Sequence, residues 1–264
     1  MEPDPPTATH KRHPRHEQTF GGVPFSRLFA DFWNEFFASL VYFTLTFSIR
    51  SNGIPKTTAH AFIAAAVVLK MIVFRSAACH PYISFVRLVR GKIYFTQFLV
   101  ILIGQIIGAL LAGVLAYLAF YLSFDLALPH LGTIPPLFTP FPVWSAFAQE
   151  LFGCIIVLIV YIIEDSIECN AILRHIIISF FVGLSYLPLA GAFGPVTGAI
   201  FNPWSALVPE LYLWKWTDAW IWQVAPLVAI LPALLVSWIL NLSGLFAALS
   251  ATSLPPLTDA TKAQ

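Results

Sequence analysis

The chain has 264 residues, 58% of them hydrophobic and only 10% charged, with 24 Phe and 8 Trp, and its mean hydropathy is +0.80. A soluble domain carries roughly 25% Asp, Glu, Lys and Arg, so this chain cannot clothe a water-facing surface, and soluble-enzyme readings are set aside. Fourteen basic residues against thirteen acidic ones leave a net charge of +1, which gives no field for nucleic acid or an acidic substrate. The expectation is a polytopic membrane protein, with about 20 residues used for each crossing of a ~30 Å hydrocarbon layer.

In chain order, Met1 to Val23 are rich in Pro, His and charge and contain no apolar h-region. No cleavable signal peptide is expected, and residues 1–29 read as a disordered cytosolic tail. Apolar runs predict helices at 30–50, 57–75, 94–122, 144–163, 174–190 and 216–241, within one domain at 30–242 that is followed by a cytosolic tail at 243–264. Each run can span a bilayer, although 57–75 and 174–190 are short and need polar or kinked flanks. Two further apolar stretches, Pro81 to Val89 and Pro203 to Tyr212, have nine and ten residues. That is the length of a re-entrant half-helix, and each begins with proline, which suits the first helical position.

The charges between these segments test orientation. With the N-terminus inside, Lys11, Arg12, Arg15, Arg27, Arg87, Arg90, Lys92, Arg174 and Lys262 fall on the inner side and Arg50, Lys56 and Lys215 on the outer, nine against three. Both termini are therefore expected in the cytosol. The stretch Ser123 to Val143 has no Lys or Arg, as an outer loop should. Lys70 is read as snorkelling to the inner interface, and Glu164, Asp165 and Glu168 as a solvated loop. Asn241-Leu-Ser243 matches a glycosylation sequon but falls on the cytosolic side. Cys79, Cys154 and Cys169 lack metal-type spacing and an even count, so no zinc site or disulfide framework is indicated.

A weak repeat organises the chain. Glu35 in FWNEFFASL and Glu150 in FAQELFGCI each sit early in the first helix of a half. The half-helix prolines follow, Pro81 and Pro203. Gln105 of the third helix lies 24 residues after Pro81, and Pro226 of the sixth lies 23 after Pro203. Three spans and a half-helix, repeated, imply inverted topology, with the half-helices entering from opposite faces and meeting near the midplane. Their N-termini, each worth about half a positive charge, would repel cations and leave donors for water. Backbone carbonyls ahead of them are tolerated at that depth only around a wet cavity or within protein. Glu35 and Glu150 are costly there unless they accept N–H bonds from those loops.

The segment GPVTGAIFNPWSALVPE, Gly194 to Glu210, resembles the second signature loop of the aquaporin, or major intrinsic protein, family. WIWQVAPLVA, Trp220 to Ala229, resembles the family's sixth-helix run, and Gln105-Ile-Ile-Gly-Ala its third-helix motif. The likeness covers about Asp31 to Leu242. It implies an all-α bundle of six transmembrane helices and two half-helices, one pore per chain, a homotetramer in lipid, and passive conduction of water without cofactor or covalent step. The chain departs from the family where His80-Pro81-Tyr82 stands for Asn-Pro-Ala, where the second box reads Asn202-Pro203-Trp204, and where Ser205 replaces an arginine of the narrow filter. This pattern is similar to the unorthodox, superaquaporin branch, often found in intracellular membranes, so a plasma membrane and an endoplasmic-reticulum-type membrane both remain open.

The roles that follow are these. Asn202 offers an amide donor to a passing water while capping its half-helix. His80, when neutral, has one N–H to offer in place of the second donor, and it serves equally well as a mere cap; a protonated form would throttle the pore. Tyr82 and Trp204 either re-aim the box or plug the pathway. Ser205 removes a fixed charge, which admits glycerol, hydrogen peroxide or ammonia beside water. Phe62 and Tyr186 are the other filter candidates, with lipid or core packing as the alternative for each. Cys79, next to His80, suggests mercury sensitivity. A nonconducting scaffold with a plugged fold and a transporter that uses the two carboxylates as proton relays are the rival readings.

Overall fold

A computed structural model describes residues 19–74, 77–128, 142–166, 172–242 and 244. Cys169, Glu168, Ser243 and most of both expected tails lie outside them. A two-stranded hairpin, β1 (Thr19–Phe20) and β2 (Val23–Pro24), turns on Gly21 and Gly22, both with positive φ, the backbone that a two-residue hairpin of this hand requires. The helices are α1 (Phe25–Ser51), α2 (Lys56–Val73), α3 (Pro81–Val89), α4 (Phe95–Ala119), α5 (Pro142–Ser166), α6 (Ile172–Thr197), α7 (Pro203–Leu213) and α8 (Ala219–Leu242), with a 3-10 turn at Phe124–Ala127. The hairpin and the first turn of α1 fall within the stretch 1–29 expected as tail.

Six long helices and two half-helices are what the repeat predicts. On length and apolarity five of them qualify as crossings, Lys56–Val73, Phe95–Ala119, Val143–Ser166, Ser179–Thr197 and Ala219–Asn241. The remaining long helix, α1, has 27 residues, about 40 Å at 1.5 Å per residue. Its low apolarity has a structural cause: Glu35, Ser39, Thr46 and Ser51 face inward and are buried, whereas Phe29, Trp33, Phe37, Val41 and Leu45 form an exposed stripe at four-residue spacing. The stripe is continuous with Leu99, Ile103, Ile107, Leu111 and Leu115 in kind, since α4 repeats the pattern. Large apolar side chains outside and small or polar ones inside are the arrangement that lipid selects.

Packing follows the repeat. The pair α1 and α4 corresponds to α5 and α8, and α2 packs on α6 across the pseudo-twofold axis. The α1–α4 contact is so close that a Cβ at Gly104 would lie 2.8 Å from Phe32 O and one at Gly108 2.5 Å from Phe36 O. The spacing of these glycines is the small-xxx-small pattern that lets membrane helices touch backbone to backbone. α6 runs to Thr197, past the expected end at 190, with Pro188 and Pro195 inside it. Proline in a helix interior frees the carbonyl four residues earlier, and membrane helices tolerate it more readily than soluble ones do. Expected outcome: Gly108→Ala lowers stability in detergent by about 1–3 kcal/mol, read as a drop in the thermal unfolding midpoint. Gly191→Ala, where a Cβ would meet nothing within 4 Å, leaves that midpoint unchanged or raised.

Candidate functional site

Each half-helix is preceded by an extended limb held by one carboxylate. Glu35 accepts from Ala78 N at 2.8 Å through Oε1 and from Cys79 N at 3.0 Å through Oε2. Glu150 accepts from Ile200 N at 3.1 Å and Phe201 N at 3.0 Å in the same way. The N–H groups belong in both limbs to the two residues before the box residue, so the glutamates occupy equivalent places in the repeat. Cys79 and Phe201 have φ of 53° and 48°. Left-handed backbone at a non-glycine residue costs of order 1–3 kcal/mol, and it lets consecutive N–H groups converge on one anion.

The box residues cap their helices in extended conformation, His80 at φ −151° and Asn202 at φ −137°, with Pro81 and Pro203 at the first helical position. They also bind each other's limbs. His80 Nε2 donates to Phe201 O at 2.6 Å, and Asn202 Nδ2 donates to Cys79 O at 2.8 Å. A carbonyl can only accept, so His80 carries its proton on Nε2. The N–H expected to meet a permeant is therefore committed to the opposite limb, and buried Nδ1 has no protein partner among the described residues. Asn202 keeps its second amide hydrogen while its Oδ1 caps Trp204 N at 3.1 Å.

Tyr82 and Trp204 turn away from this junction. Tyr82 Oη donates to Gln223 O of α8 at 2.9 Å, and Trp204 Nε1 to Gln105 Oε1 of α4 at 3.4 Å. Each ring thus leaves its own limb for a helix of the other half. Buried Gln105 also donates to Glu35 Oε2 at 3.1 Å and Ser84 Oγ at 3.0 Å, a bridging role that the motif alone did not reveal. Cys79 gives its carbonyl to the junction, and its side chain is not among those lining the adjoining cavity. That cavity, about 50 Å³, is bounded by His80, Asn202, Ala78, Lys70, Tyr161 and Tyr186, among others. It has room for a few waters, each of which needs roughly 10–15 Å³ on this measure.

A second cluster lies ahead of the Asn202 box. Arg50 Nη2 donates to Gly198 O at 3.3 Å, His60 Nε2 lies 3.3 Å from the same oxygen, and Tyr186 Oη donates to Ala199 O at 2.6 Å. His60 and Tyr186 stand edge to face at 6.4 Å. Gly194 makes room for the His60 ring, which a Cβ there would strike. His60 also borders a cavity of about 340 Å³ between α2 and α6. Of the three filter candidates, Tyr186 joins this cluster. Phe62 is 54% exposed on the outward face of α2, half a turn from His60. Ser205 is buried in the first turn of α7 and brings no charge. Sequence reasoning missed His60, a lone polar ring in TTAHAFIAAA, and it counted Arg50 as a loop charge. It also misplaced Lys70, which is buried beside the central cavity and not at the interface.

Arg87, in the last turn of α3, pairs with Asp165 at 2.6 and 2.8 Å, and Arg90 donates to Ser166 Oγ at 2.8 Å. The fork ties α3 to the end of α5, a structural use for a residue read as solvated loop.

The family model for major intrinsic proteins matches residues 25–236. Among solved structures, the aquaglyceroporin from Plasmodium falciparum is similar with a TM-score of 0.67 and 19% identity, over 80% of this chain and 96% of that one. A likeness at that identity speaks to the fold. No curated protein matches the chain.

Replacing Glu150 by Gln leaves one oxygen for two buried N–H groups. Glu150→Gln is expected to cost about 1–3 kcal/mol, seen as a lower unfolding midpoint in detergent, with Glu35→Gln close behind it.

Proposed function

This chain belongs to the major intrinsic protein family, and from that premise we propose that it is a passive channel for water and small neutral solutes, working without a cofactor. The observation that carries the reading is the reciprocal bond of the two limbs, His80 to Phe201 O and Asn202 to Cys79 O, at the wall of a small, mostly apolar cavity in which Lys70, His80 and Asn202 are the polar exceptions beside tyrosine and serine hydroxyls. Two half-helix N-termini facing one another there disfavour cations, and the second N–H of Asn202 is left for a permeant. The similarity to an aquaglyceroporin adds weight to glycerol among the solutes, beside hydrogen peroxide and ammonia.

Two observations weigh against the rivals. Both oxygens of Glu35 and of Glu150 accept backbone N–H bonds, a use as fixed carboxylates and not as relays. Tyr82 and Trp204 bond to α8 and α4, away from the cavity they would have to plug. The altered boxes fit the superaquaporin branch, with a homotetramer and cytosolic termini as the matching assembly and topology.

Ser205 removed the filter cation, and Arg50 supplies one from α1. With His60 and Tyr186 around the Gly198 and Ala199 carbonyls, it forms the outer constriction. An arginine fork restricts passage by charge and by bulk.

In proteoliposomes the wild type is expected to speed osmotic water flux over empty vesicles with the weak temperature dependence of a pore. Flux that requires an ion gradient would sink the channel reading. Arg50→Ala should raise glycerol flux relative to water by about tenfold, the weight of ~1.4 kcal/mol in a barrier. An unchanged ratio would remove Arg50 from the filter.

A further inference from the structure

Lys70 lies in the last turn of α2 and is 3% exposed. Its Nζ donates to Ala77 O at 3.1 Å, Ala78 O at 3.1 Å and Tyr161 Oη at 3.0 Å, which commits all three ammonium hydrogens. Helical side chains lean toward the N-terminus of their helix. From the end of α2 that direction leads away from the nearer interface and toward the midplane, where these carbonyls wait.

The two carbonyls belong to the peptide groups whose N–H groups Glu35 holds. The Ala77–Ala78 peptide gives its oxygen to Lys70 and its N–H to Glu35, and the Ala78–Cys79 peptide does the same. Two polarised amides therefore stand between the ammonium and the carboxylate, and each bond strengthens the one beyond it. The outer limb has a neutral counterpart. Ala199 O, three residues before its box residue as Ala77 is before His80, accepts from the Tyr186 hydroxyl.

Carbonyls of a non-helical limb are the acceptors on which water can enter a membrane-buried path. Ala78 and Lys70 line the same cavity as His80 and Asn202, so an incoming water meets an ammonium where it needs an acceptor. We propose that Lys70 is the flux-limiting residue of the inner half-channel. A neutral permeant passes the Ala77 and Ala78 carbonyls only when the ammonium leaves them. This rests on the channel reading above and adds the residue that sets its rate.

The test is osmotic water flux per reconstituted protein for wild type, Lys70→Met and Tyr161→Phe, against empty vesicles. Lys70→Met keeps the length of the side chain and removes its donors, and it should conduct about tenfold faster than wild type, the scale of one lost charge-assisted bond. Tyr161→Phe leaves both carbonyl bonds and the limb in place while removing the third anchor, and it should give a smaller rise. Sucrose stays excluded in both, which separates a released side chain from a loosened bundle. A conducting wild type with neither variant faster overturns the proposal and leaves the channel reading standing. No flux above empty vesicles from any of the three overturns both. Should Lys70→Met not fold, an unchanged rate in Tyr161→Phe alone overturns it.

Discussion

Non-helical backbone at the middle of a bilayer survives only if its polar groups are met, because each orphan costs several kcal/mol in hydrocarbon. Two limbs of this protein, Ala77–His80 and Gly198–Asn202, are in that position, and the rest of the structure is arranged around them. Glu35 and Glu150 take the N–H groups; Lys70, Arg50 and Tyr186 take carbonyls; His80 and Asn202 take the one carbonyl in each limb that faces the other. Buried carboxylates in a span are expensive. Here each replaces two unmet donors, so the expense is offset at the place where it arises.

The bundle supplies the rigidity that this junction needs. Gly104 and Gly108 bring α4 onto the backbone of α1, the helix that carries Glu35. Gly153 of α5, the helix that carries Glu150, leaves space for the Phe201 ring. Cross-half bonds from Tyr82 to α8 and from Trp204 to α4 then tie each half-helix to the other repeat. A large ring at these positions is tolerated because it has a polar end and a partner for it.

Much of this was legible in sequence because lipid leaves few reasons for a polar residue to sit in an apolar run. The half-helix Pro81–Val89 and the start of the other at Pro203 follow from length and proline position, and the paired glutamates mark the repeat. What could not be read was direction. A helix period shows that His60 and Phe62 differ by half a turn, but it does not show which one faces the axis, so Phe62 was named without a register and His60 was passed over. Lys70 and Arg50 near helix ends look like interfacial charges under any positional rule. Their carbonyl partners lie seven or more residues away in irregular backbone, and only the fold brings them near. The true length of α6 was hidden for a related reason: the expected helix passes Pro188 and ends at 190, short of the turn that holds Pro195, and the tertiary context that permits a second proline is not a local property.

The two boxes are alike in geometry and unequal in chemistry. An amide nitrogen has two hydrogens, and Asn202 gives one to Cys79 O and keeps one. A neutral imidazole has one, and His80 spends it on Phe201 O, leaving Nδ1 as an acceptor. The junction therefore keeps one uncommitted donor, on Asn202, where two Asn boxes would keep two, and its other spare atom, His80 Nδ1, is a buried acceptor. On the channel reading proposed above, a water at the junction is oriented by one donor and not held between two. Exclusion of protons therefore rests the more on fixed charge: the half-helix N-termini, Lys70 beside the His80 limb and Arg50 ahead of the Asn202 box.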